Sequence, residues 1–345
     1  MITSVIDTVK PSVSRLPRST FPGRGITLCA HVHNLVPESR NNMSEALQGG
    51  SLPPLPTVAA TPEEAAARRA AQEERDAAVR GVVSIAAMRE AVKRDARRLP
   101  AILEVPRTGR LSADAFHARA TRGLPFLMSG VVDRWPLCSL SPQVLRDRYS
   151  ELRVRARTGD YINNAFAPDR PMQDMSMREY LELAACRDEH LPPPYVGNLE
   201  LRELNSLCHW PTWFRKMGPP RFWLGPTGTV TPLHCDFDDN IFAQIWGRKR
   251  IFLVPPHHDE YLYVREANPV LFASPVDPEA PDYERYPLAR QASMVECVVN
   301  PGEMLYVPAG WYHQVRALSF SLSSNRWARG VPLALVDDPS VRRHG

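Results

Sequence analysis

The order of apolar and polar positions divides the chain into stretches of different texture. Residues 1–60 are rich in Ser, Pro, Gly and Asn and hold no apolar periodicity, so a disordered region is expected there. At Thr61 the pattern turns helical: Thr61 suits an N-cap, Pro62 the first helical position, and Glu64 completes a capping box. The segment 61–100 is dense in Ala, Glu and Arg, is broken at Gly81, and reads as helical with its charges on a solvated face. From about 101 to 220 a mixed α/β portion is expected. It has an apolar strand at 125–132, a helix starting at Ser141 and Pro142, an alternating strand V-R-A-R at 154–157, and a helix capped by Ser176 and running to about 185.

Beyond 221 short β runs separated by Gly and Pro turns take over. The candidates are 221–224, 230–236, 241–246, 250–254, 294–299, 304–307, 311–317 and 319–325. Eight strands of this kind make a double-stranded β-helix, the jelly-roll or cupin arrangement, over 221–330. The expected fold class is therefore mainly β, with N-terminal helical and α/β additions. A Pro-rich insertion at 256–293 separates the fourth and fifth strands, where a long loop can shape a substrate site. A tail, 331–345, follows.

Composition changes this picture little. A net charge of +4 with no run of Lys and Arg does not argue for nucleic acid as a partner. The six cysteines form no C-x-x-C pair, which excludes a zinc ribbon or a thioredoxin-type site and suits a reducing compartment. No apolar run reaches the length of a membrane span, and the first ten residues lack a signal-peptide core. A cytoplasmic protein is expected, with Met43 as an alternative start.

The chemistry concentrates in T-P-L-H-C-D at 231–236 and P-A-G-W-Y-H at 308–313. His234 and Asp236 are two apart, so a strand puts both on one face. His313 falls on the seventh strand, which neighbours the second in a double-stranded β-helix. Two imidazoles and one carboxylate are the facial triad of Fe(II) oxygenases, which leaves half the coordination sphere open. H-x-D alone is a weak signal, equally a surface His–Asp hydrogen bond. Such an enzyme chelates 2-oxoglutarate by its keto acid end and needs a cation and hydroxyl donors for the far carboxylate. Lys249, Thr231 and Tyr195 offer these, and Asn240 and Asn325 are further polar candidates. Each also has a plain reading: Lys249 as a solvated turn residue, Tyr195 as a packed aromatic. Cys235, between two ligands, should point away from the metal and pack. His257 and His258 read as a polar loop, and Trp210 and Trp213 as core.

The motifs W-L-G-P-T-G-T-V-T-P-L-H-C-D, N-I-F-A-Q-I-W-G-R-K-R, P-D-Y-E-R-Y-P, P-G-E-M-L-Y-V-P-A-G-W-Y-H and the ending S-x-N-R-W resemble Jumonji-C oxygenases of the small hydroxylase branch. Similar enzymes are the asparaginyl hydroxylase that inhibits hypoxia-inducible factor and the related arginyl-residue hydroxylase. The resemblance implies Fe(II), 2-oxoglutarate and O2. It implies iron ligation by His234, Asp236 and His313, and distal-carboxylate binding by Lys249, Thr231 and Tyr195. It also implies metal-side polar contacts from Asn240 and Asn325, and a place beside the substrate groove for Trp327. The substrate would be a protein or peptide residue or a small molecule. The residues after Trp327 show no amphipathic pattern, so the C-terminal-helix dimer of the asparaginyl hydroxylase is not expected. Two alternatives stay open: a non-oxygenase cupin, either isomerase or sugar-binding module, and an RNA-modifying hydroxylase. A sugar-binding cupin has no need of the Lys249 and Thr231 pair.

Overall fold

The computed structural model describes residues 85–338 apart from 168–169, 187–189, 214–215 and 269–270. The expected disorder over 1–60 and the helix start at Thr61 lie outside the described residues. In chain order the strands are β1 (Arg107–Thr108), β2 (Phe126–Met128), β3 (Arg153–Arg157), β4 (Met172–Ser176), β5 (Tyr195–Leu199), β6 (Arg221–Gly225), β7 (Val230–Asp236), β8 (Asp239–Trp246), β9 (Lys249–Val254), β10 (Arg265–Asn268), β11 (Leu271–Ala273), β12 (Val295–Val299), β13 (Met304–Val307), β14 (Tyr312–Ala317) and β15 (Ser321–Ala328). They form a nine-stranded sheet, β1-β2-β13-β8-β15-β6-β5-β3-β4, and a six-stranded sheet, β10-β11-β7-β14-β9-β12.

Strands β6 to β9 alternate between the two sheets, and β12 to β15 do the same, so the chain winds as the expected double-stranded β-helix. The alternation of side chains follows: on β9, Lys249, Ile251 and Leu253 are buried while Arg250 and Phe252 are less so. On β7, Leu233 and Cys235 face outward into an apolar cluster with Tyr312 and with Met88, Ala91 and Val92 of the helix Ile85–Ala96. Cys235 thus packs away from the metal site.

That helix corrects one expectation. Its charges are not simply a solvated face, because Arg89 Nη2 and Lys93 Nζ lie 2.7 and 3.0 Å from Asp259. Met88, Ala91 and Val92, at positions i, i+3 and i+4, turn the opposite stripe onto the sheet. The helix Met177–Ala185 begins where expected: Ser176 Oγ accepts from Glu179 N at 3.2 Å, and Glu179 Oε2 accepts from Ser176 N at 2.7 Å.

The segment 256–293 is more than a loop. It contributes β10 and β11, and β11 pairs with β7 at Leu271↔Asp236, Phe272↔Cys235 and Ala273↔His234. Asp277 accepts from Gln314 Nε2 at 2.7 Å and Glu279 from Arg250 Nη1 at 3.4 Å, which bolts the insertion to β14 and β9. Strands of three and four residues carry too little periodicity to be read from sequence. Trp213 stacks on Phe116 at 4.3 Å, and Trp210 lies 4.7 Å from Trp135, both packing as expected. His258 Nδ1 accepts from the Ser293 amide at 2.9 Å within its loop.

Candidate metal centre and cosubstrate cavity

Strand β7 carries a proline, and proline cannot donate to a ladder. The pairing with β14 shifts there: His313 faces His234, but Val315 faces Thr231. Two residues of β14 thus span three of β7, a bulge that absorbs Pro232. The bulge also resets the side-chain alternation. Thr231 and His234 are an odd number of residues apart, so a regular strand would put them on opposite faces, yet both line the same cavity.

His313 and His234 are direct cross-strand partners, with rings 4.3 Å apart. Ligand atoms of His234, Asp236 and His313 all lie within 4.8 Å of one another, so the three can hold one metal ion. Their surroundings fit this. His234 Nδ1 lies 2.8 Å from the carbonyl of Pro232, and His313 Nδ1 lies 3.0 Å from that of Trp311. A carbonyl only accepts, so each ring donates through Nδ1 and keeps an Nε2 lone pair for a metal. Burial, then His313, holds the His234 imidazole below its ordinary range and therefore neutral. Asp236 Oδ2 accepts from Trp327 Nε1 at 2.9 Å, a bond that orients the carboxylate. Gly310, at φ +81°, lets the turn before β14 donate its amide to Asp236 O at 2.8 Å.

At the other end of the cavity stands Lys249, 1% exposed. Its Nζ donates to Ser323 Oγ at 2.8 Å and to Tyr195 OH at 3.3 Å, both neutral oxygens. Burial, with the nearby Arg157 charge, pulls this ammonium down to about 7. A buried ammonium without a carboxylate is a costly arrangement unless an anion completes it. Thr231 Oγ1 is buried there with no hydrogen-bond partner. Burial pushes the Tyr195 phenol up to about 12, so it stays a donor. Together they fit the carboxylate of a small dicarboxylate. Asn325 Nδ2 donates to Asn240 Oδ1 at 3.0 Å, and Trp223 Nε1 to Asn325 Oδ1 at 2.7 Å. The nine residues proposed from the sequence for metal, cosubstrate or substrate groove all line this one cavity: His234, Asp236, His313, Tyr195, Thr231, Asn240, Lys249, Asn325 and Trp327.

Sequence reasoning missed Arg157, Arg170 and Trp223, which also line it. The strand holding Arg157 was legible as V-R-A-R, but nothing in the pattern said that its last arginine pairs with Tyr195 and turns inward. Among the described residues no helix is long and apolar enough to cross a membrane.

A family model described as a cupin-like domain matches residues 112–332. Among curated proteins, the chain is 34% identical over 177 residues to lysine-specific demethylase JMJ30 of Arabidopsis thaliana, covering 51% of this chain and 36% of that protein. It is 43% identical over 105 residues to lysine-specific demethylase 8 of Xenopus tropicalis, covering 30% and 24% respectively. It is 32% identical over 126 residues to the bifunctional peptidase and (3S)-lysyl hydroxylase JMJD7 of Homo sapiens, covering 31% and 40%. The chain thus spans less than half the length of these relatives. The match over 112–332, the wound double sheet and the strand-borne triad agree: the chain belongs to the cupin-like domain family, in its Jumonji-C branch.

Proposed function

We propose that the protein is an Fe(II)- and 2-oxoglutarate-dependent dioxygenase that hydroxylates a C–H bond of a protein or peptide residue or of a small molecule. The observation that carries this reading is Lys249: a buried ammonium without a carboxylate partner, in the same cavity as a facial triad. Relatives named as demethylases and as a lysyl hydroxylase support the same class.

His234, Asp236 and His313 would hold the metal. Iron bound there would supply dioxygen activation, with one oxygen atom going to succinate as 2-oxoglutarate loses CO2 and the other to the substrate C–H bond as a hydroxyl. The chain's own residues do the rest. Lys249, Tyr195 and Thr231 take the far carboxylate and fix the cosubstrate's direction. The Asn240–Asn325 pair, held by Trp223, supports the metal-side end. Trp327 keeps Asp236 aimed and borders the space left for substrate. Apolar Phe166, Leu271 and Val315 on the cavity wall help exclude water.

The test is succinate formation by purified protein given Fe(II), 2-oxoglutarate and O2 without any substrate. Slow release of succinate and CO2 in equal amounts is expected, abolished by His234→Ala. No succinate from protein shown to carry one iron per chain would sink the assignment.

A further inference from the structure

Arg157 ends β3 with its Cα opposite Tyr195. Its side chain is 4% exposed, and Nε and Nη1 are buried without a hydrogen-bond partner. The guanidinium lies 5.6 Å from the Tyr195 ring and 5.4 Å from the Trp223 ring. Room for it is built in. A Cβ at Gly197 would come 2.9 Å from Trp223 Cε3 and 3.1 Å from Arg157 Cζ. Arg170 lines the same cavity, and its Nε is also buried and unpartnered. Among the described residues its Nη1 donates to the carbonyl of Ala167, at 3.3 Å. Burial, and the charge of Arg170, act to lower the Arg157 guanidinium below its ordinary range.

Among the described residues that line the cavity, Asp236 is the only acid. A divalent iron, dianionic 2-oxoglutarate, Asp236 and Lys249 neutralise one another. Among the described residues no acid pairs with either guanidinium, so both remain on the cavity lining as charge beyond that balance. Guanidiniums with buried N–H groups left over in a partly closed cavity are suited to planar, two-oxygen acceptors.

We propose that Arg157 and Arg170 form a carboxylate subsite for the substrate, so that the bond oxidised belongs to an acidic compound: an acidic residue of a peptide or a small organic acid. The inference rests on the oxygenase reading for its charge count. It also separates this chain from the relatives named for lysine chemistry, because a cationic side chain would enter against both guanidiniums.

The experiment uses the full protein, anaerobic, with Fe(II) and saturating 2-oxoglutarate, so that the cosubstrate pocket is filled and no turnover occurs. Binding is measured calorimetrically for N-acetyl-aspartate N-methylamide, for its asparagine and lysine counterparts, and for malate. The expected result is that at least one of the two acids binds on the order of ten-fold or more tighter than the amide and lysine probes. Preference for the aspartyl probe indicates a peptide substrate, preference for malate a small acid. Arg157→Gln and Arg170→Gln should each weaken acid binding roughly ten-fold or more, a larger loss than for 2-oxoglutarate, with Arg157→Lys recovering part of it. The idea is overturned if the asparagine or lysine probe binds as tightly as both acids. It is equally overturned if Arg157→Gln weakens 2-oxoglutarate alone. Repeating the series without 2-oxoglutarate in Lys249→Met protein, whose cosubstrate pocket has lost its cation, reads the same acid-over-amide preference, so failure of cosubstrate binding falls on the oxygenase reading and not on this one.

Discussion

Replacing Lys249 by Met should stabilise the ligand-free protein and cripple cosubstrate binding. The residue is 1% exposed, and among the described residues its ammonium donates to the Tyr195 and Ser323 hydroxyls. Burial and Arg157 bring its ammonium from an ordinary 10.5 to about 7. At about 1.36 kcal/mol per tenfold, the ligand-free fold loses on the order of 4 kcal/mol at pH 7 by holding this group. The value is lower in the folded than in the unfolded chain, so between about pH 7 and 10.5 the unfolded chain binds more protons. This contribution to stability therefore rises with pH across that window. Lys249→Met removes the slope. It also leaves two hydroxyls without a donor, which offsets roughly 1–3 kcal/mol of the gain. The net effect at pH 7 is a gain on the order of 1–3 kcal/mol and a Tm higher by a few degrees.

With metal and cosubstrate that advantage shrinks. Losing a hydrogen bond to a charged group costs about 1.5–3 kcal/mol, roughly 10- to 150-fold in 2-oxoglutarate affinity. Cosubstrate at about 100 times its Kd adds about 2.7 kcal/mol to the wild type, whereas the variant gains about 1.4 kcal/mol or less. Urea unfolding at pH 7 and 9.5, with and without metal and 2-oxoglutarate, reads both effects. An unchanged 2-oxoglutarate Kd, or an unchanged pH slope, would refute the reasoning.

Trp327→Phe keeps an aromatic ring but removes the donor 2.9 Å from Asp236 Oδ2; metal affinity should fall roughly 10- to 100-fold by calorimetric titration while circular dichroism stays native. Gly310→Ala forces φ +81° on an alanine and sets its Cβ 2.8 Å from Val92 Cγ1, so stability should fall by about 1–3 kcal/mol. Adding Val92→Ala should not restore it, since the backbone strain persists; full recovery would show that the clash alone matters. Cys235→Ser should lower Tm yet leave metal affinity unchanged, because Cys235 packs in the outer cluster with Leu233 and Val254.

The parts of the site that lie on regular strands were legible in the chain. His234 and Asp236 share a face by their spacing, and the seventh-strand position of His313 brought it opposite them. Ser176 announced its helix because capping is local chemistry. What depends on departures from regularity was hidden. The bulge at Pro232 decides that Thr231 faces inward, and alternation alone gives the opposite answer. The apolar run at 125–132 yields a strand only over Phe126–Met128, since Gly130 turns the chain at φ +77°. Arg157 shows the same limit over longer range: its strand was readable, but its partner Tyr195 and the gap left by Gly197 are set by tertiary pairing.

The central claim is that one cavity holds Fe(II) on the triad and 2-oxoglutarate on both the iron and Lys249. Anaerobic titration of the protein with Fe(II) and 2-oxoglutarate, followed by the visible charge-transfer absorption of a keto acid chelated to ferrous iron, tests it directly. The band should saturate at one iron per chain, be absent in Asp236→Ala and His313→Ala, and need much more 2-oxoglutarate in Lys249→Met. A full band in the triad variants, or none in iron-loaded wild type, would contradict it.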